Sequence, residues 1–150
     1  MWNNIENMIL YEDKEIIVCH KAAGIAVQSA RIGMPDMEST LKNYLVAKNP
    51  GKMPYLGVVH RLDQPVQGLV VFARNPGSAA SLSAQVQNGC MKKYYQAVTC
   101  GLPEKKSDRL IHYLKKNGKT NLSEVVSSKT AGAKKAELQY HILKEKEQMA

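Results

Sequence analysis

The sequence predicts an α+β fold, a mixed but largely antiparallel sheet carrying two helices. Three observations predict it. Short apolar runs rich in Ile and Val recur along the chain, each too short for a helix. Two stretches, after Ser39 and after Asn75, repeat apolar residues at helical spacing. Compact polar turns separate neighbouring runs, which suits antiparallel pairing.

Taken in order, residues 8–11 and 16–19 read as two strands joined by the polar turn at residues 12–14. Ala22-Ala23-Gly24 breaks the pattern, and Ile25-Ala26-Val27 reads as a short third strand. Residues 30–36, with Gly33 and Pro35, read as loop. Ser39 is expected to cap a helix that buries Leu41, Tyr44 and Leu45 and stops at Asn49-Pro50-Gly51. Residues 56–59 and 69–73 are continuously apolar and Val-rich, so both are expected in mid-sheet with both faces covered. Asn75-Pro76 is an N-cap and first-turn pair, Ala79, Leu82 and Val86 line one helical face, and Gly89 is the stop. Residues 94–99 read as a strand. Asn117-Gly118 signals a hairpin between residues 110–114 and 122–126. Residues 136–142 alternate as a half-exposed last strand, followed by a charged tail.

The chain has 150 residues, enough for a core of its own, and shows no internal repeat or Pro- or Ser-rich linker. It therefore reads as one domain over residues 1–150. No apolar run is long enough to span a bilayer, so no membrane partner is expected. The first residues lack the basic and apolar regions of a secretory signal, and a cytoplasmic location is the default expectation. The three cysteines, Cys19, Cys90 and Cys100, form no Cys-x-x-Cys motif and are read as reduced thiols. His20, His60, His112 and His141 are scattered without ligand spacing, so no metal is expected. The net charge of +8 and pI of about 9.4 favour a polyanionic partner, nucleic acid being the commonest. A lysine-rich solvated surface would give the same charge.

The loop at residues 60–68 holds the most chemistry. It brings His60, Arg61 and Asp63 close together between two apolar strands, a placement suited to a precise site. Asp63 also fits a turn former that bonds nearby backbone N–H groups. Arg61 also fits a surface charge, and His60 a structural histidine. A glycosidase would need a second carboxylate, and none is near in sequence. Phosphate-loop, dinucleotide and serine-elbow motifs are absent.

Val59-His60-Arg61-Leu62-Asp63, followed by Gly68-Leu69-Val70-Val71-Phe72-Ala73-Arg74, resembles the signature of RluA-type RNA pseudouridine synthases. That signature reads His-Arg-Leu-Asp, four variable positions, Gly, then an apolar strand ending in Ala-Lys or Ala-Arg. Residues 9–13 with 16–18 and Lys21-Ala22-Ala23-Gly24 resemble the family's entry strands and Lys-Pro-Ala-Gly turn. Residues 93–98 with Gly101 resemble its Lys-x-Tyr-x-Ala motif, and residues 133–140 its Ala-Lys-x-Ala…Tyr strand. Departures are Val66-Gln67 where many members have Thr-Ser, and Ala22 in place of proline. Many relatives carry a small N-terminal RNA-binding module, and no such module is expected before residue 9. They also continue into a Thr-Gly-Arg…His-Gln-Ile-Arg segment beyond the equivalent of Ala150. The expectation is therefore a pseudouridine synthase catalytic-domain-like fold that is C-terminally incomplete, the N-terminal two-thirds of the domain.

The resemblance implies isomerisation of uridine to pseudouridine in structured RNA, ribosomal or transfer. The N1–C1′ bond breaks, the uracil rotates, and the ring rejoins through C5, without cofactor or metal. Asp63 would be the catalytic carboxylate, as nucleophile or as base. Arg61, Tyr95, His60, Lys93 and Arg74 would bind substrate and RNA, with Arg61 holding the flipped nucleotide and Tyr95 stacking on uracil. Lys92 would join the phosphate contacts, and Lys105, Lys106, Lys115, Lys116, Lys134 and Lys135 would form a general basic surface. RNA is the expected partner, and no obligate protein partner is evident. The competing readings are a truncated, non-catalytic RNA-binding fragment and a lysine-rich interaction protein.

Overall fold

A computed structural model describes residues 5–29, 33–120 and 122–146. The chain divides into two compact units, Met1–Lys93 and Tyr94–Ala150.

In the first unit a 3-10 turn, Ile5–Met8, leads into β1 (Ile9–Glu12) and β2 (Ile16–Lys21). Then come α1 (Met37–Lys48), β3 (Gly57–Val58), β4 (Gly68–Ala73) and α2 (Pro76–Gln87). The sheet order is β1-β2-β4-β3, and each neighbouring pair is antiparallel. Side chains alternate across a strand. In β2 this buries Ile17, Cys19 and Lys21, which face Phe72, Val70 and Gly68 of β4. Met37, Leu41 and Leu45 of α1 cover that face, together with Val27 and Leu56. Lys21 thus ends an apolar row, opposite a residue with no side chain.

The expected helices are both present, but the cap of α1 is Asp36, not Ser39. Asp36 takes the Ser39 N–H at 2.7 Å, and Ser39 closes the capping box from the third helical position. The serine resembles a cap because Ser39 and Asp36 cap each other. Residues 25–27 form no strand. The carbonyls of Ala26 and Val27 accept the first N–H groups of α1, Met37 and Glu38, at 3.0 and 3.1 Å. A helix start satisfied by this segment leaves it nothing to offer a sheet. The expected mid-sheet strand at residues 56–59 shrinks to Gly57–Val58 and lies at the edge. Its partner β4 is interior, yet Leu69 is 57% exposed, so the strand is not covered on both faces. Asn75 caps α2 through the Ser78 N–H at 2.8 Å, and Gly89 follows the helix at φ 68°.

The second unit is a three-stranded antiparallel sheet, β5 (Ser107–Lys116), β6 (Ser123–Val126) and β7 (Lys134–His141), ordered β6-β5-β7. Leu110 pairs with Leu138 and His112 with Ala136. The opposite face carries the Arg109–Glu137 and Lys135–Glu137 ion pairs. The β5–β6 connection is wider than a two-residue turn. Across it Asn117 donates its N–H to Leu122 O at 2.8 Å and its Nδ2 to Glu124 Oε1 at 3.0 Å, and its Oδ1 accepts the Lys119 N–H at 3.0 Å. Residues 94–99 form no strand. Tyr94 and Val98 are 90% and 81% exposed, and the segment has no ladder partner among the described residues. A strand pattern without a neighbouring edge has no hydrogen bonds to make it one.

Among the described residues no helix is long and apolar enough to cross a membrane. Cys19 is buried, and burial pushes its thiol up to about 12, while Cys90 and Cys100 are exposed free thiols.

Candidate active site

Asp63 lies on the loop between β3 and β4, which is held at both ends. At one end Val71 of β4 donates its N–H to His60 Nε2 at 3.0 Å. At the other, Gly68 leaves the loop with φ 152°, a value L side chains rarely adopt. A Cβ there would also stand 3.3 Å from Leu62 Cδ1. Leu62 packs against the core, while Arg61 and Asp63 on either side of it are exposed.

A tight turn follows the aspartate, with Val66 N–H donated to Asp63 O at 3.0 Å. A second turn, at residues 21–25, braces it from below. Gly24, at φ 85°, donates its N–H to Gln64 O at 2.8 Å, and Gln64 Nε2 returns a bond to Gly24 O at 3.0 Å. The buried Lys21 ammonium donates to Ile25 O at 2.7 Å, Gln64 O at 3.1 Å and Ala22 O at 3.2 Å. Burial pulls the Lys21 pKa down, and the negative charge of Asp63 works in the opposite direction. The Asp63 carboxylate itself accepts no hydrogen bond or ion pair among the described residues, so the turn-former reading gains no support from its side chain.

His60, Arg61 and Asp63 share the β3–β4 loop, with the His60 ring turned to Val71 and Arg61 and Asp63 exposed, and the charge of Lys93 reaches His60. Burial first, then Lys93, holds the His60 imidazole below its usual range. Arg74 is placed elsewhere. It follows the far end of β4, roughly 20 Å along the strand from Gly68. There it pairs with Glu12 at 3.1 Å and also donates to Asp13 O. Tyr95 belongs to the second unit, where it is 65% exposed. Lys21, Gly24 and Gln64 were not among the residues singled out for the site. The available signal was Lys21 falling in phase with buried Ile17 and Cys19. Among the described residues no cluster of His, Cys, Asp or Glu is arranged to hold a metal ion.

In this α+β chain the Asp63 carboxylate stands exposed on a clamped loop between two antiparallel strands. The model of the RNA pseudouridylate synthase family matches residues 15–150, and the chain belongs to that family. It is 37% identical over 97 residues to an uncharacterized RNA pseudouridine synthase of Zymomonas mobilis, covering 65% of this chain and 42% of that protein. It is 38% identical over 96 residues to the ribosomal large subunit pseudouridine synthase D of Neisseria meningitidis serogroup B, covering 63% of this chain and 25% of that protein. The fold is similar to that of human RNA pseudouridylate synthase domain containing 4, with a TM-score of 0.79 at 20% identity over 97% of this chain and 57% of that one. The chain thus spans less than half the length of these two curated relatives.

Proposed function

We propose that the protein isomerises uridine to pseudouridine in a structured RNA, with Asp63 as the catalytic carboxylate. The observation that carries this reading is the Asp63 loop. Its main chain is fixed by His60, Lys21 and Gly24, while its carboxylate stays exposed and accepts no hydrogen bond among the described residues. A group meant to meet a substrate atom needs a rigid mount and a free face. Ribosomal RNA is the first substrate to test, because the Neisseria relative is named for the large ribosomal subunit.

In this reading the target uridine leaves its stack and enters beside Asp63. The carboxylate attacks the nucleoside or removes a sugar proton, the N1–C1′ bond breaks, and the uracil turns. C5 then bonds to C1′ and gives up its proton to solvent, and N1 takes up a proton, so that the atoms balance and the Asp63 carboxylate is regenerated. The reaction rearranges one nucleotide and needs no redox partner. Arg61, exposed and two positions from Asp63, would hold the extruded nucleotide. Lys93 would meet phosphate, and Tyr95, exposed on the second unit, would offer RNA an aromatic face. The reducing cytoplasm is the compartment in which exposed Cys90 and Cys100 stay free.

The test is Asp63→Asn, assayed by tritium release from uridine-labelled RNA. The amide keeps the shape of the side chain but supplies neither nucleophile nor base. Release should fall to background while circular dichroism and RNA affinity stay as in the wild type. Release within a few-fold of wild type would remove Asp63 from the mechanism.

A further inference from the structure

We propose that His60 is a positioning residue. Its neutral imidazole, with the proton on Nδ1, stands in for a main-chain carbonyl at the end of the β3–β4 ladder and holds the Asp63 loop in its working shape. For activity this rests on the Asp63 reading above. The geometry of the latch does not.

The register pairs Gly57 with Ala73 and Val58 with Phe72. Continued by one residue, it would set Val59 opposite Val71. The ladder stops at Val58 instead, and the Val71 N–H goes to His60 Nε2 at 3.0 Å. β4 is an interior strand, so without the imidazole this N–H would be left with no partner from β3. Because a side chain closes the ladder, the main chain is free to leave the sheet early. It turns away at once into Arg61-Leu62-Asp63. The same bond that completes β4 therefore fixes where the catalytic loop departs.

Only an unprotonated Nε2 can accept this bond, so the proton of neutral His60 must sit on Nδ1. The groups acting on the ring favour the neutral form. Burial acts first and the positive charge of Lys93 second. Arg61, the next residue, is also cationic. No carboxylate is among the groups that shift the ring. Protonation would put an Nε2–H against the Val71 N–H, donor facing donor, and the latch would open. The sign follows: the folded form binds this proton less readily than the unfolded chain. The latch is therefore intact at neutral pH and is lost as pH falls through the lowered His60 value.

Two measurements test the proposal on the full chain. The first is ring nitrogen–proton correlation NMR on protein labelled at histidine, with the His60 signals assigned by their loss in His60→Gln. The expected result is the Nδ1–H tautomer, titrating below the ordinary value of 6.5. An Nε2–H tautomer, or a midpoint at or above 6.5, overturns the latch. The second is the pH profile of tritium release. Glutamine can accept the Val71 N–H through Oε1 but does not titrate, so His60→Gln should retain most activity and move the acid limb to lower pH. His60→Leu offers no acceptor and should lose about tenfold to a hundredfold in kcat, the scale of a misplaced catalytic group. An unmoved acid limb in His60→Gln alongside the expected tautomer would show a structural histidine that does not position Asp63. Should the wild type itself release no tritium, the proposed activity fails, and the tautomer still decides the latch. If His60→Leu does not fold, the NMR result and His60→Gln decide.

Discussion

The Lys21 ammonium donates to the main-chain oxygen of Gln64, the residue after Asp63, at 3.1 Å. Through this bond the buried end of β2 holds the turn that carries the carboxylate. Lys21 is fully buried, so its charge is met by carbonyls and by the nearby Asp63, not by water. The bond makes one unit of two turns that are far apart in sequence.

Lys21→Met should therefore loosen the site without emptying the core. Methionine fills a similar volume but leaves Ala22 O and Ile25 O without their donor, while Gln64 O keeps Gly24 N. The expected cost is about 1–3 kcal/mol, read as a lower urea midpoint, with a fall in tritium release beyond what unfolding explains. A midpoint equal to wild type would mean that the three bonds only offset the cost of burying the charge.

Glu12→Gln should change how stability depends on pH. Burial alone would raise the Glu12 pKa, but hydrogen bonds from Lys48 and Tyr44, with the charges of Lys48 and Arg74, hold it below its ordinary 4.5. A carboxylate depressed in the folded state stabilises above the unfolded value, and that contribution is lost as pH falls through the folded one. The variant should be less stable by about 1–2 kcal/mol at pH 7, since the pair is partly solvent-screened. The difference should shrink below pH 4.5, as followed by thermal melts. A constant difference across that range would leave Glu12 with a packing role only.

Arg61→Ala should impair turnover of RNA more than Lys105→Ala. Arg61 is exposed beside Asp63, whereas Lys105 is engaged with Asp108 at 2.8 Å on the β-sheet unit. At fixed salt the arginine variant should lose about tenfold or more in kcat/KM and the lysine variant less than about threefold. Equal losses would make Arg61 one surface charge among several.

How much was legible in the sequence depended on the range of the interactions. The Asn75 cap, the helix it starts and the Gly89 stop are local, so residue order was enough to place them. The alternation in β2 and the apolar run of β4 likewise marked the inner row of the sheet. The resemblance around Asp63 singled out the loop, and the fold sets that loop between strands as expected. Residues 25–27 and 94–99 show the opposite case. Both have strand composition, but strands exist only where a second edge accepts them, and sequence composition does not report the partner.

The sequence by itself determined the elements built from near neighbours, the family resemblance and the loop that carries Asp63. Only the tertiary structure decided what holds that loop. His60 to Val71 spans eleven positions and Lys21 to Gln64 forty-three, and neither bond leaves a periodic trace along the chain. Arg74 makes the same point from the other side. In the sequence it closes the signature, but the length of β4 carries it away from Gly68 and onto Glu12. Periodicity reports which face a residue takes, whereas a hydrogen bond between distant segments depends on how the strands register, and register is fixed only when the sheet forms.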